Sequence, residues 1–292
     1  MSASQLDGRP IARKIIQAMR EEFSELTKQG LTIALVHTGD PSALAYARAI
    51  TRTFSALSIA VVSKPVDEQC SLDTFIQCIE QLNQDPAITA VLVLQPLPAG
   101  IPRALPSQIL APHKDVDGIT PFHQGQLALG EPTIIPSTPL GALALLRSYD
   151  IPLRGRHAVV VGRSTTVGRP LSLLLLTQDA TVTVCHRQTS NLSQITQQAD
   201  VLLVAAGVPK LITPEHIRDG AVVVDFGIHP HGRHVVGDVD PAVAQRAAAL
   251  TPVPGGTGPL TTVALAYNFF RLAAWQRTGS LPTHDRLAWF IP

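Results

Sequence analysis

The chain has 292 residues, 45% of them hydrophobic, and a formal net charge of +1. That balance suits a globular protein of one large or two modest domains and gives no electrostatic basis for binding nucleic acid or a membrane surface. No window approaches the roughly 18 uninterrupted apolar residues of a membrane span, and residues 1–8 lack the basic head and apolar run of a secretory signal. Cys70, Cys78 and Cys185 are odd in number and lack C-x-x-C spacing, so they read as buried small hydrophobes and not as a disulfide framework or zinc site. A cytoplasmic address without a bound metal is the expectation.

Helical and strand-like segments alternate along the chain, the pattern of an α/β protein. Apolar spacing predicts a helix over residues 10–28, a strand over 31–36 ending in His37-Thr38-Gly39-Asp40-Pro41, a helix over 42–57 and a strand over 59–62. A helix over 72–83 and a buried strand over 90–94 follow. Pro96 and Pro98 then end the ladder, because proline has no amide to donate, and the dense prolines and glycines of 96–139 predict loop. A helix over 140–148 leads into a second βα series from His157, which puts a domain boundary near that helix.

The second series opens with a strand over 157–161 and runs at once into Gly162-Arg163-Ser164-Thr165-Thr166-Val167-Gly168-Arg169-Pro170 and a leucine-rich helix. Strand, glycine turn and helix N-terminus make an anion site, because free amides and the helix dipole converge on a pyrophosphate. Ser164 stands where G-x-G-x-x-G would have its second glycine, so a purely structural β-turn-α competes with this reading. The strand over 181–185 ends in His186-Arg187, about 20 residues on, where an NAD enzyme would carry a carboxylate for the ribose hydroxyls. No Asp or Glu is there. Arg187, with Arg163, suits a 2′-phosphate, so NADP is expected over NAD, although a solvated arginine after a strand meets the same spacing.

Strands over 201–205 and 222–225 end in Ala206-Gly207 and Phe226-Gly227-Ile228, small residues at the carboxyl ends where a parallel sheet forms its ligand crevice. His229, His231 and His234 lie between two strand-like runs and read as an exposed turn, not a metal site.

Several motifs are specific in combination: Leu6-Asp7-Gly8; Asp40-Pro41 followed by Tyr46; Gln95-Pro96-Leu97-Pro98; Lys114-Asp115-Val116-Asp117-Gly118; Pro136-Ser137-Thr138-Pro139-Leu140-Gly141; Gly162-Arg163-Ser164 with Val167-Gly168-Arg169-Pro170; and residues 252–261, Pro-Val-Pro-Gly-Gly-Thr-Gly-Pro-Leu-Thr. In this order they resemble the bifunctional methylenetetrahydrofolate dehydrogenase/methenyltetrahydrofolate cyclohydrolase family over nearly the whole chain. The resemblance implies an N-terminal α/β folate domain over 1–138, completed by a helix over 257–292, and an NADP-binding, Rossmann-like parallel-sheet domain over 139–256. It further implies a cleft where pterin and nicotinamide meet, and a homodimer. Asp117 would anchor the pterin of a tetrahydrofolate derivative, with Asp115 as a structural alternative that pins its own loop. Tyr46 would flank the folate, an ordinary core tyrosine being the other reading. Leu94, Gln95, Pro96, Pro254 and Gly255 would line the substrate. Thr138, Gly162, Arg163, Ser164, Val167, His186, Arg187, Ala206, Gly207, Ile228, Gly256 and Thr257 would meet the cofactor. Thr257 stands where the family commonly has an aliphatic residue, and its hydroxyl has no role assigned from sequence.

Two departures bear on activity. The family's helix carries Tyr-x-x-x-Lys and its strand reads Val-Gln-Leu-Pro-Leu-Pro; here Tyr46 is followed four residues on by Ile50, and Leu94 takes the glutamine's place. Tyr46 and Ile50 share a helix face, whereas Arg48 and Arg52 lie about 200° around from Ile50. Strand alternation turns Gln95 away from the side that Leu94 occupies, unless the strand is bulged beside Pro96. The resemblance assigns the lysine to proton management in the cyclohydrolase step and the glutamine to holding it. With the lysine gone, an unsatisfied buried glutamine would cost about 1–3 kcal/mol, so leucine is the matched replacement. The expected activity is therefore NADP-dependent oxidation of 5,10-methylenetetrahydrofolate in one-carbon metabolism, with the cyclohydrolase step weak or absent. A paralogue acting on another folate or imine-like substrate, a non-catalytic folate- or NADP-binding protein, and retained bifunctionality through Gln95 and another proton relay stay open.

Overall fold

The computed structural model describes residues 3–28, 30–232 and 234–279. In chain order its strands are β1 (Ser4–Gln5), β2 (Thr32–His37), β3 (Ala60–Pro65), β4 (Ala90–Val93), β5 (His157–Val161), β6 (Thr181–Cys185), β7 (Val201–Val204), β8 (Val222–Asp225), β9 (His229–His231), β10 (His234–Val236) and β11 (Ala249–Leu250). Its α-helices are α1 (Gly8–Glu22), α2 (Ser24–Thr27), α3 (Pro41–Ser55), α4 (Leu72–Gln84), α5 (Leu105–Ile109), α6 (Pro121–Ala128), α7 (Ser137–Ser148), α8 (Gly168–Leu176), α9 (Leu192–Thr196) and α10 (Thr257–Thr278). The chain divides into two compact units, one of Met1–Lys14 with Thr138–Thr261, the other of Ile15–Ser137 with the helical residues from Thr262.

The second unit is built on a parallel sheet of order β3-β2-β4. Ile33, Ala34, Leu35 and Val36 of β2 are all buried, as expected of a central parallel strand covered on both faces. Asp40 caps α3, its carboxylate accepting the amides of Ser42 at 2.8 Å and Ala43 at 3.2 Å, with Pro41 at the first helical position. Ser71 caps α4 in the same way through Thr74 N–H at 3.1 Å. The residues of α10 in this unit pack by aromatic contact, Phe269 edge-on to Phe54 at 5.4 Å and Phe270 stacked on Phe23 at 4.4 Å.

The first unit is a six-stranded parallel sheet, order β1-β11-β8-β7-β5-β6. Val201 to Val204 and Ala158 to Val161 are buried, and they read in sequence as unbroken apolar runs for that reason. Strands β9 and β10 form a small antiparallel ribbon beside the sheet, with His231 opposite His234. No described helix is long and apolar enough to cross a membrane.

Four sequence expectations need correction. The helix over 10–28 ends at Glu22, because Phe23 leaves helical geometry at φ −104°, ψ 18° before the short α2. The region 96–139 is not continuous loop: α5, a 3-10 turn at Pro112–Lys114 and α6 lie within it, each with proline in its first turn. Proline there starts a helix, since its missing N–H falls where no helical acceptor exists. Residues 4–5 were expected with the folate domain but extend the nucleotide sheet, with Ser4 N–H bonded to Ala248 O at 2.8 Å and Leu6 N–H to Leu250 O at 3.0 Å. A two-residue strand has too little periodicity to read from sequence. The helix over 257–292 is seen as Thr257–Thr278, and residues 280–292 of that expectation lie outside the described residues.

Candidate active site

Asp117 follows the 3-10 turn and stands at the centre of a polar cluster in the second unit. Its Oδ1 accepts the Ser137 amide at 3.0 Å and the Ser137 hydroxyl at 2.5 Å. Tyr46, on α3, lies close enough to this pair to feel both members, the Ser137 hydroxyl favouring its ionised form and the Asp117 charge opposing it. Burial raises the Tyr46 phenol above its ordinary value, and the Asp117 charge adds to the rise. Burial likewise pushes Asp117 up to about 6, against the opposing pull of both Ser137 bonds. Among the described residues the second oxygen of Asp117 accepts no hydrogen bond, which leaves it to take donors from a ligand.

Two supports of this cluster escaped sequence reasoning. Gly118 has φ +60°, and a Cβ there would lie 2.6 Å from the Ile134 carbonyl oxygen, so the Asp117 loop packs flush against the residues before Ser137. Asn268 on α10 spends both amide protons on the same two segments, donating to Val116 O at 3.0 Å and Ile135 O at 2.7 Å. The only sequence signal for Asn268 is an amide in the apolar middle of a helix. Asp115 takes the loop-pinning role: it is fully buried and accepts Thr120 N–H at 2.7 Å.

One turn on from Tyr46, Ile50 has 0% exposure, and Leu94 has 4%. Gln95 and Pro96 are exposed, as are Arg48 and Arg52. Alternation therefore holds at the end of β4: Leu94, whose amide still bonds Val36 O at 2.9 Å, points inward and Gln95 outward. Lys114 is the buried ammonium nearest in sequence to Asp117. It donates to Leu82 O at 2.9 Å and Asp85 O at 2.5 Å, closing the C-terminus of α4. Burial lowers its pKa, but both carbonyls hold it as a helix cap.

In the first unit, Gly162 ends β5 at φ +131°, and Gly168 begins α8. A Cβ on Gly162 would overlap the Ala205 carbonyl oxygen, and one on Gly168 the Gly162 carbonyl oxygen. Ser164 Oγ accepts the amides of Val167 at 3.1 Å and Gly168 at 3.3 Å, so the serine at the missing-glycine position caps the turn. Among the described residues, no acceptor is bonded to the N–H groups of Ser164, Thr165 or Thr166, which stand exposed ahead of α8. Such a donor set fits an anionic pyrophosphate. Arg163 and Arg187 are exposed with no carboxylate partner among the described residues, and His186 is half-buried beside Arg187.

At the carboxyl ends of β7 and β8, Ala206 is half-buried, Gly207 is exposed and Ile228 is 64% exposed. The amides of Ala206 and Gly207 are taken by Asp238 Oδ2 at 2.7 and 2.8 Å. Thr257 opens α10 with its hydroxyl bonded to Asp225 O at 3.2 Å, which gives the unassigned hydroxyl a structural role. Pro254 is exposed; Gly255, at φ +118°, lies under the Arg9 guanidinium, which Asp7 holds at 2.8 to 3.1 Å. Gly256 has no room for a side chain, a Cβ meeting the Thr251 Cβ at 2.7 Å. Thr138 is half-buried near the start of α7. The peptide bonds Gln95–Pro96 and Val253–Pro254 are cis. His229 bonds Asp238 at 2.6 Å, and among the described residues no group of three His, Cys, Asp or Glu side chains is arranged to hold a metal.

Comparison with known proteins bears on both units. Residues 6–117 match the catalytic domain of tetrahydrofolate dehydrogenase/cyclohydrolase, and residues 136–277 match its NAD(P)-binding domain. A bifunctional protein FolD from Thermomicrobium roseum is 49% identical over 283 residues, covering 96% of this chain and 98% of that protein. The bifunctional FolD methylenetetrahydrofolate dehydrogenase/cyclohydrolase of Campylobacter jejuni superposes with a TM-score of 0.88 at 35% identity, covering 94% of this chain and 100% of that one. The Trypanosoma brucei methylenetetrahydrofolate dehydrogenase-cyclohydrolase, solved with NADP cofactor and an inhibitor, has a TM-score of 0.88 at 31% identity, covering 95% and 99%.

Proposed function

The chain belongs to the tetrahydrofolate dehydrogenase/cyclohydrolase family, and on that premise we propose that it oxidises 5,10-methylenetetrahydrofolate to the 5,10-methenyl form with NADP⁺, while accelerating the hydrolysis that follows weakly or not at all. The reading includes a cytoplasmic homodimer. One observation carries it: an Asp117 carboxylate held by Ser137 on a unit whose Ile50 and Leu94, at 0% and 4% exposure, offer no proton-carrying group.

The two steps make different demands. Oxidation leaves positive charge on the two nitrogens flanking the methylene carbon, so no side chain need accept a proton, and orientation is the main task. Asp117 supplies it by accepting pterin N–H groups on its free oxygen. Hydrolysis needs activated water and later a proton for the departing nitrogen, work suited to a lysine of lowered pKa. Ile50 offers neither. Lys114 is held in its helix cap, and Gln95 is solvent-exposed, so neither supports the reading in which another relay restores hydrolysis.

NADP⁺, when bound, supplies a two-electron hydride acceptor. The amides ahead of α8 would receive its pyrophosphate, and Arg187 with Arg163 its 2′-phosphate. Arg187→Ser is expected to raise the KM for NADP⁺ about tenfold, the loss of one charge-assisted contact, and to leave that for NAD⁺ unchanged. Steady-state kinetics with both nucleotides check this, and an equal rise for both would remove Arg187 from the phosphate site.

The test of the whole reading is a product analysis with purified protein, 5,10-methylenetetrahydrofolate and NADP⁺ or NAD⁺, resolving methenyl and 10-formyl products against a buffer blank. Methenyl product is expected to accumulate while its hydrolysis stays at the blank rate. Hydrolysis matched to oxidation would overturn the single-activity reading, and no reduced nucleotide with either cofactor would overturn the dehydrogenase itself.

A further inference from the structure

Two carboxylates, Asp225 at 3% and Asp238 at 0% exposure, lie side by side in the first unit, and the reaction just described uses neither. Asp225 ends β8. Its Oδ1 accepts the amides of Gly227 at 2.8 Å and Asp238 at 3.0 Å, and its Oδ2 accepts Val239 N–H at 3.0 Å. Asp238 in turn accepts Ala206 N–H at 2.7 Å and Gly207 N–H at 2.8 Å on Oδ2, and His229 Nε2–H at 2.6 Å on Oδ1. The fit leaves no slack: a Cβ on Gly237 would overlap Asp225 Oδ2, and one on Gly227 would overlap the Asp238 amide nitrogen. Burying an acid against another acid is costly, and backbone pairing alone would suffice to end two strands. What the arrangement adds is a tie between the loop after β7, the loop after β8 and the start of the β9–β10 ribbon.

Resting on the dinucleotide reading above, we propose that Asp238 is a positioning residue for the nucleotide: it consumes the Ala206 and Gly207 amides and fixes, through His229, the exposed Ile228. The loop after β7 then meets the cofactor with Cα and carbonyl surface, suited to hydrogen-bond donors such as ribose hydroxyls, and is closed to phosphate, which is left to the turn at Gly162. Asp238 touches no ligand in this scheme and acts through the loops it holds.

The test uses the full chain, with NADPH titrated by its fluorescence and steady-state KM values measured for nucleotide and folate. Asp238→Ala is expected to weaken NADPH binding about tenfold, while the folate KM stays within about twofold. Asp238→Asn should restore binding to within about threefold, because its amide oxygen still accepts both loop N–H groups and its NH2 can face the other tautomer of His229. A lowered melting temperature with wild-type NADPH affinity in Asp238→Ala would overturn the proposal and leave a merely structural acid. Should Asp238→Ala fail to fold, His229→Ala decides: a weakening of about threefold or more with the folate KM unmoved is expected, and wild-type affinity overturns it. Wild-type protein that binds no NADPH overturns the dinucleotide reading along with this one, so the two failures are told apart.

Discussion

Asp117→Asn is expected to lower kcat/KM for 5,10-methylenetetrahydrofolate about 100-fold, the loss of two hydrogen bonds to a charged group at about 1.5 kcal/mol each. The asparagine oxygen can still accept the Ser137 amide and hydroxyl, now at 3.0 and 2.5 Å from Asp117, so the loop keeps its shape. Its NH2 then faces the pterin donors and repels them. The nucleotide KM should not move. Unfolding does not explain such a loss. Burial raises the folded carboxyl to about 6, so its contribution to stability is fully present below the ordinary carboxylate value and is lost as pH rises through about 6. Asparagine is neutral throughout and escapes that loss, so the variant should be no less stable than wild type at neutral pH. Wild-type kcat/KM should also fall as pH drops below about 6, where the carboxyl takes a proton, and the variant should not follow that limb. A variant that retains wild-type kcat/KM would remove Asp117 from substrate recognition.

Gly162→Ala should destabilise the first unit by about 3 kcal/mol, lowering its melting temperature by roughly 6–10 °C. Two effects combine. At φ +131° an L side chain is strained, and its Cβ would overlap the Ala205 carbonyl oxygen, so β5 and β7 must part at their carboxyl ends. Gly207→Ala is the control. It too has positive φ, +69°, but a Cβ there meets nothing within 4 Å, so only the left-handed strain of about 1–2 kcal/mol applies. Thermal unfolding of the two variants separates strain from overlap. Equal losses would mean that the close approach of β5 and β7 carries no energy of its own.

Legibility followed sequence separation. Strands β5 to β8 of the nucleotide sheet were readable because each is a short run rich in apolar and β-branched residues, as in His157–Val161 before Gly162. Helices α3 and α4 were readable from their period, and the caps that fix their starts, Asp40 and Ser71, act on amides only two or three residues away. The proline-rich stretch before Ser137 was misread, because whether proline ends a strand or starts a helix depends on what its neighbours pack against. Residues 4–5 could not be assigned, since their partner strand is some 245 positions away and an edge pair leaves no period behind.

By itself the sequence determined the α/β class and the family, and it singled out the candidate residues: Tyr46, Asp117, the turn from Gly162 to Gly168, and the apolar substitutes Ile50 and Leu94. These are local facts of residue type, spacing and order. Only the tertiary structure decided what each group is bonded to. It joined Asp117 to Ser137, spent Asn268 on the two segments that lead into them, turned the Thr257 hydroxyl to the Asp225 carbonyl, and used the Ala206 and Gly207 amides on Asp238. The physical reason is that a hydrogen-bonding group in a folded chain must find a partner, and for buried groups that partner lies wherever packing brings a complementary atom, at a distance in sequence that no local pattern records.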